Sequence, residues 1–81
     1  MEVYPNPATG IVDCQFGIVD FQKVSLQIID LYGREVRTLL DEMKSPGEYN
    51  IRMDVSGLPS AVYLVRLHAG GEGAVRKLVV R

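Results

Sequence analysis

Apolar and polar residues alternate with a period of two along most of the chain, and this pattern restricts the fold more than any other feature. Three runs show it cleanly, with apolar members Val12, Cys14, Phe16 and Ile18, then Val24, Leu26 and Ile28, then Tyr49, Ile51 and Met53. A period of two places alternate side chains on opposite faces of a β-strand. The pattern therefore predicts half-buried strands that share one apolar core.

Two later runs are less regular. The stretch 61–67 is apolar on both faces until Arg66, and its predicted core residues are Tyr63, Val65 and Leu67. The closing run is predicted to point Leu78 and Val80 inward and Lys77, Val79 and Arg81 outward. A strand that is apolar on both faces is typical of a central position in a sheet, or of one covered by a neighbouring domain.

Turn signals separate the runs at intervals of about ten residues. They fall at residues 20–22, at Tyr32-Gly33, and at 45–48, 56–60 and 69–73. Only residues 36–43 have reasonable helix propensity, but this stretch is short, lacks an N-cap and follows a turn, so we predict a strand there. The sequence thus predicts an all-β fold, an Ig-like antiparallel sandwich of about seven short strands.

Two local motifs add detail. Tyr63 follows Leu58 and Ala61 at the start of a predicted strand, which resembles a tyrosine corner; an ordinary core tyrosine is the alternative. The segment Tyr-Pro-Asn-Pro at 4–7 contains two prolines, which lack a backbone N–H and hold the preceding residue extended. We therefore expect residues 1–7 to be an edge strand or the entry of a linker.

Composition excludes several classes of function. The 81 residues form one domain, and the net charge of −1 is spread along the chain, unlike the clustered basic face of a nucleic-acid-binding protein. No apolar run approaches the roughly 18 residues of a membrane span, so no membrane insertion is expected. The single cysteine, Cys14, cannot form an intrachain disulfide and is predicted to be a buried thiol.

No residue pattern points to catalysis. His68, the only histidine, lies at a predicted strand end, and Ser25, Ser45 and Ser56 have no histidine nearby in the sequence. The glycines at 70–73 lack the lysine and helix of a phosphate loop, so they predict a hairpin turn. We expect no enzymatic activity, no cofactor and no metal site.

Five segments in a fixed order carry a family resemblance: YPNP, IDLYGREVRTLL, PGEYNIRMD, LPSAVYLVRL and RKLVVR. Together they cover essentially the whole chain, 1–81, and resemble a C-terminal sorting domain of type IX (Por) secretion cargo, type A. No single segment is specific, and the ordered set carries the resemblance. A related fold is the Ig-like domain of flagellar hook-capping proteins.

The resemblance implies a function. Such domains end large secreted or surface proteins, fold as seven-stranded Ig-like sandwiches and are read by an outer-membrane translocon after their cargo crosses the periplasm. A sortase-like protease then typically removes them and attaches the cargo to an anionic lipopolysaccharide. The implied partners are the translocon, the protease and an N-terminal cargo domain. The implied location is the cell surface or the medium.

Individual residues match the family motifs. They are Pro5 and Pro7 of the PxP element, Gly33 of the hairpin, Val62 and Tyr63 of the Gly-Val-Tyr element, and Lys77 of the last strand. The chain has Ala61 where the family usually has glycine. Ala61 is expected to be strained if that glycine takes a positive φ, and to fit if the glycine serves close packing. We expect these seven positions to contribute to partner recognition.

Other hypotheses stay open. The domain is alternatively a structural Ig-like accessory module of a surface enzyme or scaffold, retained in the mature protein. A carbohydrate-binding role has less support, because the chain has no tryptophan and only Tyr4, Phe21, Tyr32 and Tyr49 as loose aromatic candidates. An exposed strand edge or apolar face would also allow a homodimer.

Overall fold

The computed structural model describes residues 1–81 as seven β-strands and no helix. The strands are β1 (Glu2–Tyr4), β2 (Ile11–Ile18), β3 (Gln22–Ile29), β4 (Glu35–Lys44), β5 (Gly47–Asp54), β6 (Ala61–Ala69) and β7 (Glu72–Val80). They form a three-stranded sheet in the order β1-β2-β5 and a four-stranded sheet in the order β4-β3-β6-β7, with antiparallel pairing throughout. The predicted all-β sandwich is confirmed. The structure contains no helix that could span a membrane.

The core lies between the two sheets and contains only apolar residues. Every residue predicted to point inward from β2, β3, β6 and β7 is buried. On β5, Met53 is buried, whereas Tyr49 and Ile51 are half-buried because this strand is an edge of the smaller sheet. Tyr49 stacks on Phe16 with ring centroids 5.7 Å apart. The alternation in the sequence therefore gives the inner face of the sandwich.

The segment with helix propensity is a strand, as predicted. It forms β4, an edge of the four-stranded sheet, and its register against β3 shifts twice, between Leu26 and Gln27 and between Ile28 and Ile29. Such bulges bend and twist an edge strand, which makes pairing with another chain less favourable. The strand β6 is central, which agrees with its apolar residues on both faces.

Glycines permit two of the hairpin turns. Gly33, between β3 and β4, has a φ of +84°, and Gly70, between β6 and β7, has a φ of +62°. These left-handed conformations are unfavourable for residues with a Cβ. No other residue type in the chain has a positive φ. Ala61 therefore has no backbone strain, and the expectation of a strained Ala61 is wrong.

The N-terminal segment connects the two sheets. Residues 2–4 form the edge strand β1, paired with β2, and the chain then crosses at residues 4–7 to the free edge of β7. Both X–Pro bonds of the crossing, Tyr4–Pro5 and Asn6–Pro7, are cis. The next residue, Ala8, is completely buried and belongs to the core. The crossing segment is therefore an integral part of the sandwich.

Candidate functional site

The turn between β3 and β4 is organised by one carboxylate. Asp30 Oδ1 accepts hydrogen bonds from the backbone N–H groups of Tyr32 and Arg34, both at 2.9 Å, and Asp30 Oδ2 accepts one from Arg34 Nε at 2.9 Å. The backbone N–H of Arg34 is the main reason that the pKa of Asp30 is lowered. These three hydrogen bonds stabilise the conformation of the exposed turn.

This hydrogen-bonded turn presents two apolar side chains to solvent. Leu31 is 64% exposed and Tyr32 is 87% exposed. The Arg34 guanidinium lies over the Tyr32 ring, 5.3 Å from its centroid. Large apolar side chains held in an ordered turn are typical of contact sites, because their exposure gives no folding stability.

A groove lies between this turn and the start of β6. It has a volume of about 460 Å³, and most of its lining is apolar. One side is formed by Leu31, Tyr32, Arg34 and Val36, and the other by Pro59, Ala61, Val62 and Tyr63. Ala61 is exposed there, so its methyl group contributes to the groove surface.

Tyr63 supports one wall of the groove from below. Its ring is 5% exposed and its hydroxyl donates to the backbone oxygen of Pro59 at 2.7 Å. This is the hydrogen bond of a tyrosine corner, which distinguishes it from an ordinary core tyrosine. The bond holds the loop of residues 55–60 against β6 and so fixes Pro59 opposite the β3–β4 turn.

A second feature lies on the other side of β6, where the crossing segment meets β7. The Asn6 side chain donates from Nδ2 to the Lys77 oxygen at 2.8 Å, and its Oδ1 accepts from the Val79 N–H at 2.9 Å. The backbone N–H of Ala8 then donates to the Val79 oxygen at 2.7 Å, and that of Arg81 donates to the Ala8 oxygen at 2.9 Å. We call this set of contacts the Asn6 clasp.

The sheet register places the groove and the clasp side by side. Val62 lies directly opposite Val79, and Leu64 lies directly opposite Lys77. One antiparallel strand pair, with a spacing of about 4.8 Å, therefore separates the groove wall from the strand held by Asn6. The two features form one continuous surface at the same end of the four-stranded sheet.

All seven predicted recognition residues lie at or beside this surface. Gly33 shapes the turn, and Ala61, Val62 and Tyr63 form a groove wall. Lys77 is next to the clasp, and Pro5 and Pro7 flank Asn6. The sequence reading missed Asn6 and Leu31, and it named Tyr32 only as part of a turn and as a loose aromatic candidate for carbohydrate binding. The YPNP motif contained the signal for Asn6, since its amide is the one side chain there that offers an N–H and a C=O together, as a neighbouring strand would.

The outer face of the four-stranded sheet has a row of polar residues at the end away from the groove. Asp41, Ser25 and His68 lie next to one another on β4, β3 and β6. Ser25 therefore has a histidine neighbour in space that the sequence did not reveal. In a catalytic triad the histidine lies between the serine and the carboxylate. Here the serine is in the middle, and Asp41 forms an ion pair with Lys23 at 3.4 Å.

One comparison with known proteins identifies a family. The model of the family described as "Secretion system C-terminal sorting domain" matches residues 2–81, almost the whole chain. No protein of curated function matches the chain significantly.

Proposed function

The chain belongs to the family of type IX secretion C-terminal sorting domains, and we propose that an outer-membrane translocon reads it as the export address of its cargo. The family match over residues 2–81 carries this proposal. Membership indicates a secretion sorting signal and export to the cell surface or the medium. The finer steps, namely transit through the periplasm, engagement of the translocon and removal by a sortase-like protease, belong to the proposal.

The geometry supports a role in binding. The continuous surface of groove and clasp combines exposed apolar side chains, a turn fixed by Asp30 and a loop fixed by Tyr63. Fixed contact residues lose little conformational entropy when a partner binds. We propose that the translocon contacts this surface and that the domain itself performs no chemistry.

The fold also restricts where a protease would cut. The backbone of β1 is paired with β2 through Glu2, Val3 and Tyr4. A sortase-like protease needs an extended, unpaired segment in its cleft, so we propose that cleavage occurs upstream of Glu2. Cutting there would leave the sandwich complete, with the crossing segment still bound to β7.

Export of a reporter tests the sorting function. Residues 1–81, preceded by the native linker, would be fused to the C-terminus of a periplasmic fluorescent protein in a host with a working type IX system. The proposal predicts reporter at the cell surface or in the medium, and its loss in a translocon mutant. Reporter that stays folded in the periplasm would contradict the proposal and favour a retained structural Ig-like module. The mass of the released domain would locate the cut.

A further inference from the structure

Two cations on the outer face of the four-stranded sheet have no carboxylate partner. The ion pairs of the chain involve Lys23, Arg34, Lys44 and Arg52. Arg66 on β6 and Lys77 on β7 take part in none of them. Both point away from the core, because their strand neighbours Val65, Leu67 and Leu78 are buried on the inner face.

These two cations flank an apolar strip. Lys77 lies directly opposite Leu64, and Arg66 is two residues beyond Leu64 on the same face of β6. On the other side of Leu64 lies Ile29 of β3, which is 5% exposed although it is not part of the main core. Val62 and Val79 extend the strip by one further pair.

The guanidinium of Arg66 is already held in place. Its Nη2 donates to Gln27 Oε1 at 2.6 Å, across the pair of β3 and β6. Its Nε is buried and has no hydrogen-bond partner within the chain. An external carboxylate cannot reach this enclosed Nε, but the Arg66 side chain as a whole is half-buried, and only Nη2 makes a hydrogen bond within the chain. A guanidinium that is already fixed loses little entropy when its terminal N–H groups bind a carboxylate. Arg66 is therefore suited to bind an external acidic group.

The acids of this face lie elsewhere. Asp41 lies at the end of the face away from the groove and is paired with Lys23. Glu35 is opposite Ile29 on the edge strand β4, so β3 and β6 separate it from Lys77. A protein that docks here would thus meet positive charge on the β6–β7 side of the strip. No acid of this chain lies beside Arg66 or Lys77 to compensate that charge.

We infer that the half-face of Val62, Leu64, Arg66, Lys77 and Val79 docks a protein segment with apolar side chains and adjacent carboxylates. The apolar side chains would cover the strip, and the carboxylates would pair with Arg66 and Lys77. Arginine binds a carboxylate through two parallel hydrogen bonds, which would fix the orientation of the segment. The assignment of that segment to the secretion machinery rests on the proposed sorting function.

Site-specific cross-linking in living cells tests this inference. A photoreactive phenylalanine derivative would replace Val62 in the exported reporter fusion. A matched fusion would have it at Gln15, which is exposed on the outer face of the other sheet. We expect an adduct from position 62, with Asp or Glu within a few residues of the cross-linked site in the partner. An adduct from position 15 alone, no adduct, or a partner segment without acids would overturn the inference.

Charge reversal provides the decisive control. Lys77→Glu should lower the adduct yield on the order of tenfold, because like charges then face each other. Arg52→Glu, a reversal on the other sheet that also breaks the ion pair with Asp13, should not lower it. Changing the partner's carboxylate to lysine should restore the adduct with Lys77→Glu. A yield that is indifferent to Lys77→Glu would overturn the inference, and thermal melting of the variant would check that it still folds.

The cross-linking result and the export result are separable. Export of the fusion without a charge-dependent adduct would leave the sorting function in place and overturn the docking surface. A charge-dependent adduct without export would support the docking surface and contradict the sorting function.

Discussion

The side chain of Asn6 pairs with the backbone of Val79, 73 residues further along the chain. Its oxygen accepts from the Val79 N–H, and its nitrogen donates to the Lys77 oxygen. An amide side chain here takes the place of a neighbouring strand at the free edge of β7. The segment through which a cargo would be joined is thus connected directly to the last strand of the domain.

Loss of the Asn6 clasp should weaken the end of β7. We expect Asn6→Ala to lower the free energy of unfolding by about 1 kcal/mol, since it removes two exposed hydrogen bonds. Amide exchange at Val79 should accelerate more than exchange in β2. Urea denaturation and hydrogen exchange would measure these effects, with Asn50→Ala on β5 as the control. Unchanged exchange at Val79 would show that the clasp does not protect the edge.

Removing the hydroxyl oxygen of Tyr63 should measure how much the tyrosine corner contributes to stability. Tyr63→Phe eliminates the hydrogen bond to Pro59 and keeps the ring, so we expect a loss of about 1 kcal/mol in stability. Tyr63→Ala also removes the buried ring and should cost about 3 kcal/mol or more. Thermal denaturation of both variants separates the two contributions. Equal stability of Tyr63→Phe and the native protein would contradict a structural role for the hydroxyl.

The turn that presents Leu31 and Tyr32 should depend on pH. The pKa of Asp30 is lowered, first by the backbone N–H of Arg34, so its ionised form favours the folded state. The resulting stabilisation is present above the ordinary aspartate pKa of about 3.9 and is lost as the pH falls through the lower folded-state pKa.

Substitution of Asp30 tests this dependence. We expect Asp30→Asn to be less stable than the native protein at neutral pH, with a difference that narrows below about pH 4. Asp20→Asn, which removes an exposed carboxylate without an ion pair, is the control. A difference that stays constant from neutral pH to pH 2 would contradict the role assigned to the carboxylate.

Cys14 should be inert in the folded protein. Its side chain is completely buried, and burial raises its pKa to about 11. At pH 8 only about one thiol in a thousand would be the reactive thiolate, and reagents cannot reach it. We expect no reaction with a disulfide reagent under native conditions and one equivalent in denaturant. Rapid labelling of the folded domain would show that β2 opens readily.

The sequence predicted the inner face of this sandwich well, because every buried residue on β2, β3 and β6 except Ile29 follows the period of two. It also predicted a strand at 36–43 against its helix propensity, because a preceding turn and a missing cap argued for a strand, and the structure has that strand as Glu35–Lys44. These features are local, so a short window of sequence contains them.

The sequence reading failed where the contacts are distant in the chain. It gave the prolines of YPNP the leading role, whereas Asn6 makes the hydrogen bonds to residues more than 70 positions away. Ser25 has no histidine nearby in the sequence, but sheet pairing puts His68 beside it, which local sequence could not show. It did not anticipate that Leu31 and Tyr32 would border the groove next to Ala61 and Val62. Strand order determines such neighbours, and alternation does not encode strand order.

The central claim is that recognition uses the end of the sandwich with the groove and the Asn6 clasp. The opposite end provides a matched control, since Val19 and Phe21, before the start of β3, are 84% and 64% exposed. The most direct measurement compares the export of two variants of the reporter fusion. One variant has Leu31→Ser/Tyr32→Ser, and the other has Val19→Ser/Phe21→Ser. Both variants remove two exposed apolar side chains from a turn, so neither should unfold the core.

We predict that the Leu31/Tyr32 variant accumulates in the periplasm, whereas the Val19/Phe21 variant is exported like the native fusion. The opposite result, or equal export of both variants, would contradict the assignment of the recognition surface.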